Sequence, residues 1–315
     1  MVKELSIIHS AHYQEANFHS NMVYLLLAGI SFGSIGLFVN LIGNNISTLL
    51  IVSIRLLATA GIIYTYQTVK TKRSEIPLES RRDYYVALAG GIIGFALTFS
   101  LYLKSLVLIP VSEAVFLHYV AFPFSTIVYS TVYLGEKVTK YEFISLAGTI
   151  VGVSLIYNVG FTGGFTSIFG YTIAFISGIT YSAALLVLKD LGKKKTTLQA
   201  LFWPTLLGGC VLLPISLFAG FTFDLSGGIL GPLLGLVLIS TLLGYSLFAK
   251  GLKKTRAGLS SIILIVVEPL SAVILAILFL GERVSISSGL GGGLIVLSGL
   301  LLAGNQGNRK HDAEA

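Results

Sequence analysis

Two stretches of this chain repeat each other at one fixed offset, and that repetition limits what the chain can fold into. Pro123 and Leu134-Gly135-Glu136-Lys137-Val138 return as Pro269 and Leu280-Gly281-Glu282-Arg283-Val284, 146 residues on (269 − 123 = 146). Lys104 and Lys250 keep that spacing, as do Ser125 and Ser271. So do Ala28-Gly29-Ile30-Ser31 and Ala174-Phe175-Ile176-Ser177. A single shift held across about half the chain is the mark of an internal duplication, so the fold must be built from two copies of one unit.

What such a unit is made of follows from its polarity. The chain is 54% hydrophobic and 11% charged, whereas soluble domains are about a quarter charged. The charges cluster between apolar runs of the length needed to cross roughly 30 Å of hydrocarbon, which makes a membrane protein embedded in the lipid bilayer. Residues 1–21 are polar and carry His9, His12 and His19. They lack the basic start and short apolar core of a cleaved signal and read as a solvated tail. The net charge of +7 comes from basic clusters in loops, and no nucleic-acid partner is implied. Cys210 is the one cysteine, so neither a disulfide framework nor a cysteine metal site is expected. No phosphate-binding loop, metal-ligand cluster or nucleophile elbow occurs, so no metal or other cofactor is expected.

The hydrophobic pattern predicts an all-α membrane protein of ten transmembrane helices, near 22–41, 46–66, 84–103, 110–133, 140–159, 169–188, 198–219, 229–249, 258–280 and 286–304. Pro123 and Pro269 fall mid-span; in a membrane bundle they read as helix kinks, because neighbouring helices re-satisfy the freed carbonyls. With the amino terminus inside, 18 of the 21 lysines and arginines fall on inner loops and tails. Lys104 and Arg283 fall outside, and Arg55 lies within a span. That asymmetry places both termini in the cytoplasm of a multi-pass cell-membrane protein. Each copy then holds five spans, an odd number, so 22–159 and 169–304 form inverted five-helix repeats, with 305–315 a cytoplasmic tail. Inverted repeats recur in secondary transporters, where the substrate site lies between repeats near the midplane.

The two closures of the form Pro…Leu-Gly-Glu-(Lys/Arg), each followed by a glycine-rich last helix, resemble the EamA-type family of the drug/metabolite transporter superfamily. The sharpest match is Glu268-Pro269 followed by Phe279-Leu280-Gly281-Glu282-Arg283. The resemblance covers 22–304. It implies a ten-helix carrier of small metabolites that often exports amino acids or related solutes. The first copy departs from it: Phe122 precedes Pro123 where Glu268 precedes Pro269.

Ionisable groups inside hydrocarbon are costly and mark function by default. Arg55, Glu113, His118 and Glu268 are the interior candidates. At about 1.5 Å per helical residue, Glu268 lies ~18 Å and Arg55 ~14 Å below the outer face, near the midplane and opposite in charge. Leu264, Glu268 and Ser271 share a helix face with Ser261, and the offset equates them with His118, Phe122 and Ser125. His118 and Glu268 are thus expected to face one central space. Glu268, His118, Arg55, Ser271 and Ser125 are the candidate substrate or coupling residues; a structural role for Arg55 is equally open. Glu113 reads as an interfacial group near a helix start. Glu136 and Glu282 read as caps of their turns. Phe95, Phe99, Tyr102, Tyr119 and Tyr181 read as packing or lipid-facing groups, with a pocket lining as the alternative.

These features lead to a secondary active transporter of small organic metabolites, working by alternating access as a monomer or a homodimer. Protons are a candidate second partner: Glu268 would alternate between pairing with Arg55 and exposure to an access path, with His118 as a relay. The competing readings are an intramembrane enzyme with Glu268 and His118 as acid and base, a nucleotide-sugar or drug carrier of the same superfamily, and a channel. The topology is checked by impermeant thiol labelling of Lys137→Cys and Arg283→Cys in a Cys210→Ser chain. The two should label from opposite sides; labelling of both from one side contradicts the inverted arrangement.

Overall fold

Backbone N–H and C=O groups in hydrocarbon have no water to bond, so an apolar chain of this kind satisfies them within helices. The computed structural model describes residues 23–71, 78, 80–119, 140–160, 164–192, 196–220, 222–224, 228–252 and 257–314. Among them the helical stretches are α1 Val23–Ile42, α2 Thr48–Thr71, α3 Arg81–Leu108, α4 Val111–Tyr119, α5 Lys140–Gly160, α6 Gly164–Gly192, α7 Thr197–Phe218, α8 at 230–252, α9 Ala257–Leu280 and α10 Ile286–Glu314. Pro123, Ser125 and Glu136 lie outside the described residues. Among those that are described there is no strand, only an isolated antiparallel bridge between Ile46 and Phe223. Five of the helices (α1, α2, α3, α7 and α8) contain stretches long and apolar enough to cross a membrane. The last helix runs on to Glu314, past its expected end at 304, because elongation adds one hydrogen bond per residue once the helix is nucleated.

The duplication reappears as repeated structure. The helix starts at Val111 and Ala257, and at Lys140 and Ile286, keep the 146 offset (257 − 111 = 146; 286 − 140 = 146). A π-helical segment interrupts α3 at Gly90–Leu97 and another interrupts α8 at Leu236–Leu243, again 146 apart (236 − 90 = 146). Widened turns of this kind concentrate at functional sites and rotate the side chains that follow them.

The chain runs back and forth between two ends. One end gathers the segments at 43–47, 109–110, 219–220, 222–224, 228–229 and 281–285; the other holds the Arg82–Asp190 ion pair at 2.8 Å. α2 packs on α7, α5 on α10 and α4 on α9. α5 and α10 run antiparallel: Ser145 Oγ donates to the Ser298 carbonyl (2.7 Å) and Ser287 Oγ to the Leu155 carbonyl (2.9 Å). They meet at two glycines. A Cβ on Gly152 would lie 2.6 Å from the Gly291 carbonyl oxygen, and one on Gly291 would lie 2.6 Å from that of Gly152. Small residues at such crossings let backbones close where no hydrophobic effect drives helices together.

Gly152→Ala should therefore lower the melting midpoint in detergent, at the ~1–3 kcal/mol typical of overpacking. Gly61→Ala on α2, with nothing within 4 Å of its Cβ, should leave the midpoint unchanged or raise it through helix propensity, worth up to ~1 kcal/mol. The reverse order contradicts the close crossing.

Candidate functional site

The π-helical turn of α8 positions the first element of a buried polar cluster. In that wider register Thr241 Oγ1 donates to the Leu236 carbonyl five residues back, at 2.9 Å. The hydroxyl proton is thereby committed, and its oxygen faces a donor from across the bundle: Arg55 Nε on α2, at 2.5 Å. The guanidinium carbon of Arg55 lies 4.4 Å from the ring centroid of Phe99, which follows the π-helical turn of α3. Arg55 is fully buried, and its Nη1 has no hydrogen-bond partner. A hydrogen bond to a charged group contributes about 1.5–3 kcal/mol and a desolvated cation–π contact about 2. Burying an ion costs several kcal/mol, which these two contacts and the field of Glu268 offset while Nη1 stays unmet.

Glu268 lies on α9 one residue before Pro269, buried. The Tyr119 hydroxyl donates to its carboxylate. Arg55 and Glu268 lie within electrostatic reach of each other and of Tyr102, Tyr181 and Tyr245. They make no direct ion pair: Arg55 is taken up by Thr241 and Phe99, and Glu268 by Tyr119. The expected pairing of the two charges is therefore a shared field rather than a contact.

His118 belongs to the same cluster. Its ring stacks on Tyr102 (centroids 4.3 Å apart, 29° between planes) and sits 5.0 Å from that of Tyr181. Its Nδ1 lies 2.8 Å from Ser177 Oγ, and that hydroxyl donates to the Ala174 carbonyl at 2.6 Å. One hydroxyl proton cannot serve both partners, so Nδ1–H is the donor to Ser177 Oγ. His118 is thus linked to Arg55 and Glu268 through Tyr102 and Tyr181, which lie in the field of both charges. Ser271 is not placed with them by any polar contact: it abuts α1 at Gly33, where a Cβ would come within 2.7 Å of the Ser271 Cβ.

Phe95, Phe99, Tyr102 and Tyr119 are buried and so pack in the interior, away from lipid, and Tyr181 is half-buried with its ring against that of His118. Thr241 and Tyr245 escaped the sequence reading. The offset could have found Tyr245, which stands 146 residues after Phe99 (245 − 99 = 146).

Two further carboxylates work at the end that holds the 281–285 turn. Glu282 accepts from the Val111 and Ser112 N–H groups at 2.8 and 3.0 Å and from the Ser112 hydroxyl. It therefore caps α4, an element 170 residues away in sequence, where a negative charge also meets the positive end of the helix dipole. Glu113 is buried, not interfacial, and accepts from the Tyr171 hydroxyl and from Ser288 Oγ at 2.6 Å.

The relatives agree with this architecture. A Salmonella typhimurium protein named as an uncharacterized inner membrane transporter, YicL, is 28% identical over 295 residues, 92% of this chain and 96% of its own. YwfM of Bacillus subtilis, named as an uncharacterized transporter, is 31% identical over 146 residues, 46% of this chain and 49% of its own. A solved crystal structure shares the fold at a TM-score of 0.62 and 16% identity, covering 90% of this chain and 96% of the other. The model of the EamA-like transporter family matches twice, at residues 19–158 and 168–304. The buried cluster draws Arg55, Phe99, Tyr102, His118 and Tyr119 from the first match and Ser177, Tyr181, Thr241, Tyr245 and Glu268 from the second. The chain is a multi-pass membrane protein that belongs to the EamA-like transporter family.

Proposed function

We propose that the protein is a secondary active transporter of small organic metabolites, of amino-acid type or related. It works by alternating access between two inverted five-helix repeats, with both termini cytoplasmic. The observation that carries this reading is the buried cluster itself. A cation and a carboxylate, each lacking a direct counter-ion, stand among tyrosines contributed by both matched domains. A bundle held together only for stability gains little from such groups, whereas a solute path needs polar anchors at depth. The packing supports the inversion: α2 on α7, α4 on α9 and α5 on α10 are equivalent helices of the two copies, the pairs that an axis between repeats brings into contact. Glu268 serves as the coupling group, its protonation tied to solute occupancy, and His118 as a neighbouring relay.

In this cycle the end with few basic residues is the outer one, and the two domains are tied across it. Ser47 N–H donates to the Thr222 carbonyl and Asp224 N–H to the Asn45 carbonyl, both at 3.0 Å, flanking the Ile46–Phe223 bridge. The Glu282 cap on α4 is a second tie. Opening to the outside requires these ties to part.

Counterflow of labelled solute in proteoliposomes tests the carrier cycle, because exchange requires alternation. Opposed residues of an antiparallel pair have Cα atoms about 4.5–5.5 Å apart, within disulfide reach. Oxidised Ile46→Cys/Phe223→Cys in a Cys210→Ser chain should lose counterflow and regain it on reduction. Full counterflow with the disulfide formed contradicts alternation at this end. Glu268→Gln should abolish accumulation driven by a pH gradient while exchange persists at higher solute concentration. Undiminished pH-driven accumulation by Glu268→Gln removes that carboxylate from the coupling step.

A further inference from the structure

One stripe of α2 packs on α7: the Tyr64 ring stacks on that of Phe202, and a Cβ on Gly209 would strike Leu57. A second stripe at helical spacing does not. Ala58, Gly61, Ile62, Thr65, Tyr66 and Lys70 line an open groove of about 840 Å³. Nothing lies within 4 Å of where a Cβ on Gly61 would stand, so no packing inside the bundle requires that glycine, and the missing side chain notches the groove. Thr65 gives its hydroxyl proton to the Gly61 carbonyl at 2.9 Å, so the deep end offers no free donor. The other end is cationic. Lys70 is exposed, donates to the Tyr66 hydroxyl at 2.7 Å and holds Nζ 5.2 Å from that ring's centroid. This contact turns the ammonium back along the groove and uses one of its three N–H groups. Among the described residues no carboxylate pairs with it. Lys72 and Arg73 follow in the sequence.

Length and charge decide what fits. Ala58 to Lys70 is ~18 Å of helix, about the depth of one leaflet of a ~30 Å hydrocarbon layer. A cation at the interface above an apolar notch is the polarity profile of a phospholipid. A second copy of this chain docked by the same face about a twofold axis would instead set Lys70 against Lys70. We propose that the groove binds an anionic phospholipid, in the leaflet on the side of the Arg82–Asp190 pair. Its phosphate accepts from Lys70, and one acyl chain runs past Thr65 and Ile62 to the notch at Gly61. Basic residues that close a membrane helix attract anionic headgroups, and a lysine stem lies along apolar surface with its charge at the interface. The site braces the helix that carries Arg55, and it stands whether or not the chain is a carrier.

The test is native mass spectrometry of the purified, delipidated full chain in detergent, with phosphatidylglycerol and phosphatidylcholine of identical acyl chains as probes. The first phosphatidylglycerol should bind at least about fivefold more tightly than the first phosphatidylcholine, the effect of one lysine at an anionic interface. Lys70→Gln should cut that preference to less than about twofold. Gly61→Leu, which fills the notch, should weaken both lipids while the melting midpoint without lipid holds, because the added side chain starts into open space. Lys140→Gln, at an exposed lysine of α5, should leave phosphatidylglycerol binding as it was. Equal binding of the two lipids overturns the proposal, as does undiminished phosphatidylglycerol binding by Lys70→Gln or by Gly61→Leu. An equal loss in Lys140→Gln also overturns it, because net charge alone then attracts the lipid. A dimer that Gly61→Leu dissociates, with lipid binding unchanged, assigns the face to a second copy and overturns it too.

Discussion

A guanidinium without a counter-ion in the middle of an apolar bundle is the constraint to which the rest of the structure answers. Arg55 is held there by Thr241, which accepts from Nε, by Phe99 beneath the charge and by the field of Glu268. Neither contact follows from an ordinary α-helix. Thr241 is free to accept because the π-helical register of α8 gives its proton to Leu236. Phe99 follows the corresponding widened turn of α3. The duplicated distortion therefore serves a single, unduplicated arginine. Residue 201, the position 146 beyond Arg55, is a leucine in the core.

That asymmetry separates scaffold from chemistry. The scaffold is doubled: the same helix starts, the same π-helical segments, the same helices packed on their equivalents. The chemistry is single, because Arg55, His118 and Glu268 each lack a mate of the same kind at the offset position. In the proposed cycle the two-copy frame rocks about the line between its halves, and the one-copy set of charged groups is what the solute meets there.

Much of this was legible in the sequence. The offset that equates Pro123 with Pro269 also relates the starts of α4 and α9 and of α5 and α10, because backbone geometry follows the hydrophobic pattern each copy inherited. Depth along the spans put Arg55 and Glu268 at one level, and they interact through the field they share; the offset, not depth, turned His118 toward the same space, where its ring meets Tyr102 and Tyr181. The rest depended on tertiary contact. Widened π turns carry no residue signature, so nothing in the sequence singled out Thr241. The turn at Glu282 read as capping itself, and it caps α4; no local pattern names a partner 170 residues away. Glu113 read as interfacial from its place near a helix start, but Tyr171 and Ser288 close over it.

The central claim is that the unmet N–H of Arg55 is filled by solute at the junction of the two domains. A density map of the protein with a counterflow-active solute bound tests it most directly. The account predicts solute density against Arg55 Nη1 among Tyr102, Tyr181 and Tyr245. Solute density elsewhere, with Arg55 Nη1 bonded to a protein acceptor, would contradict it.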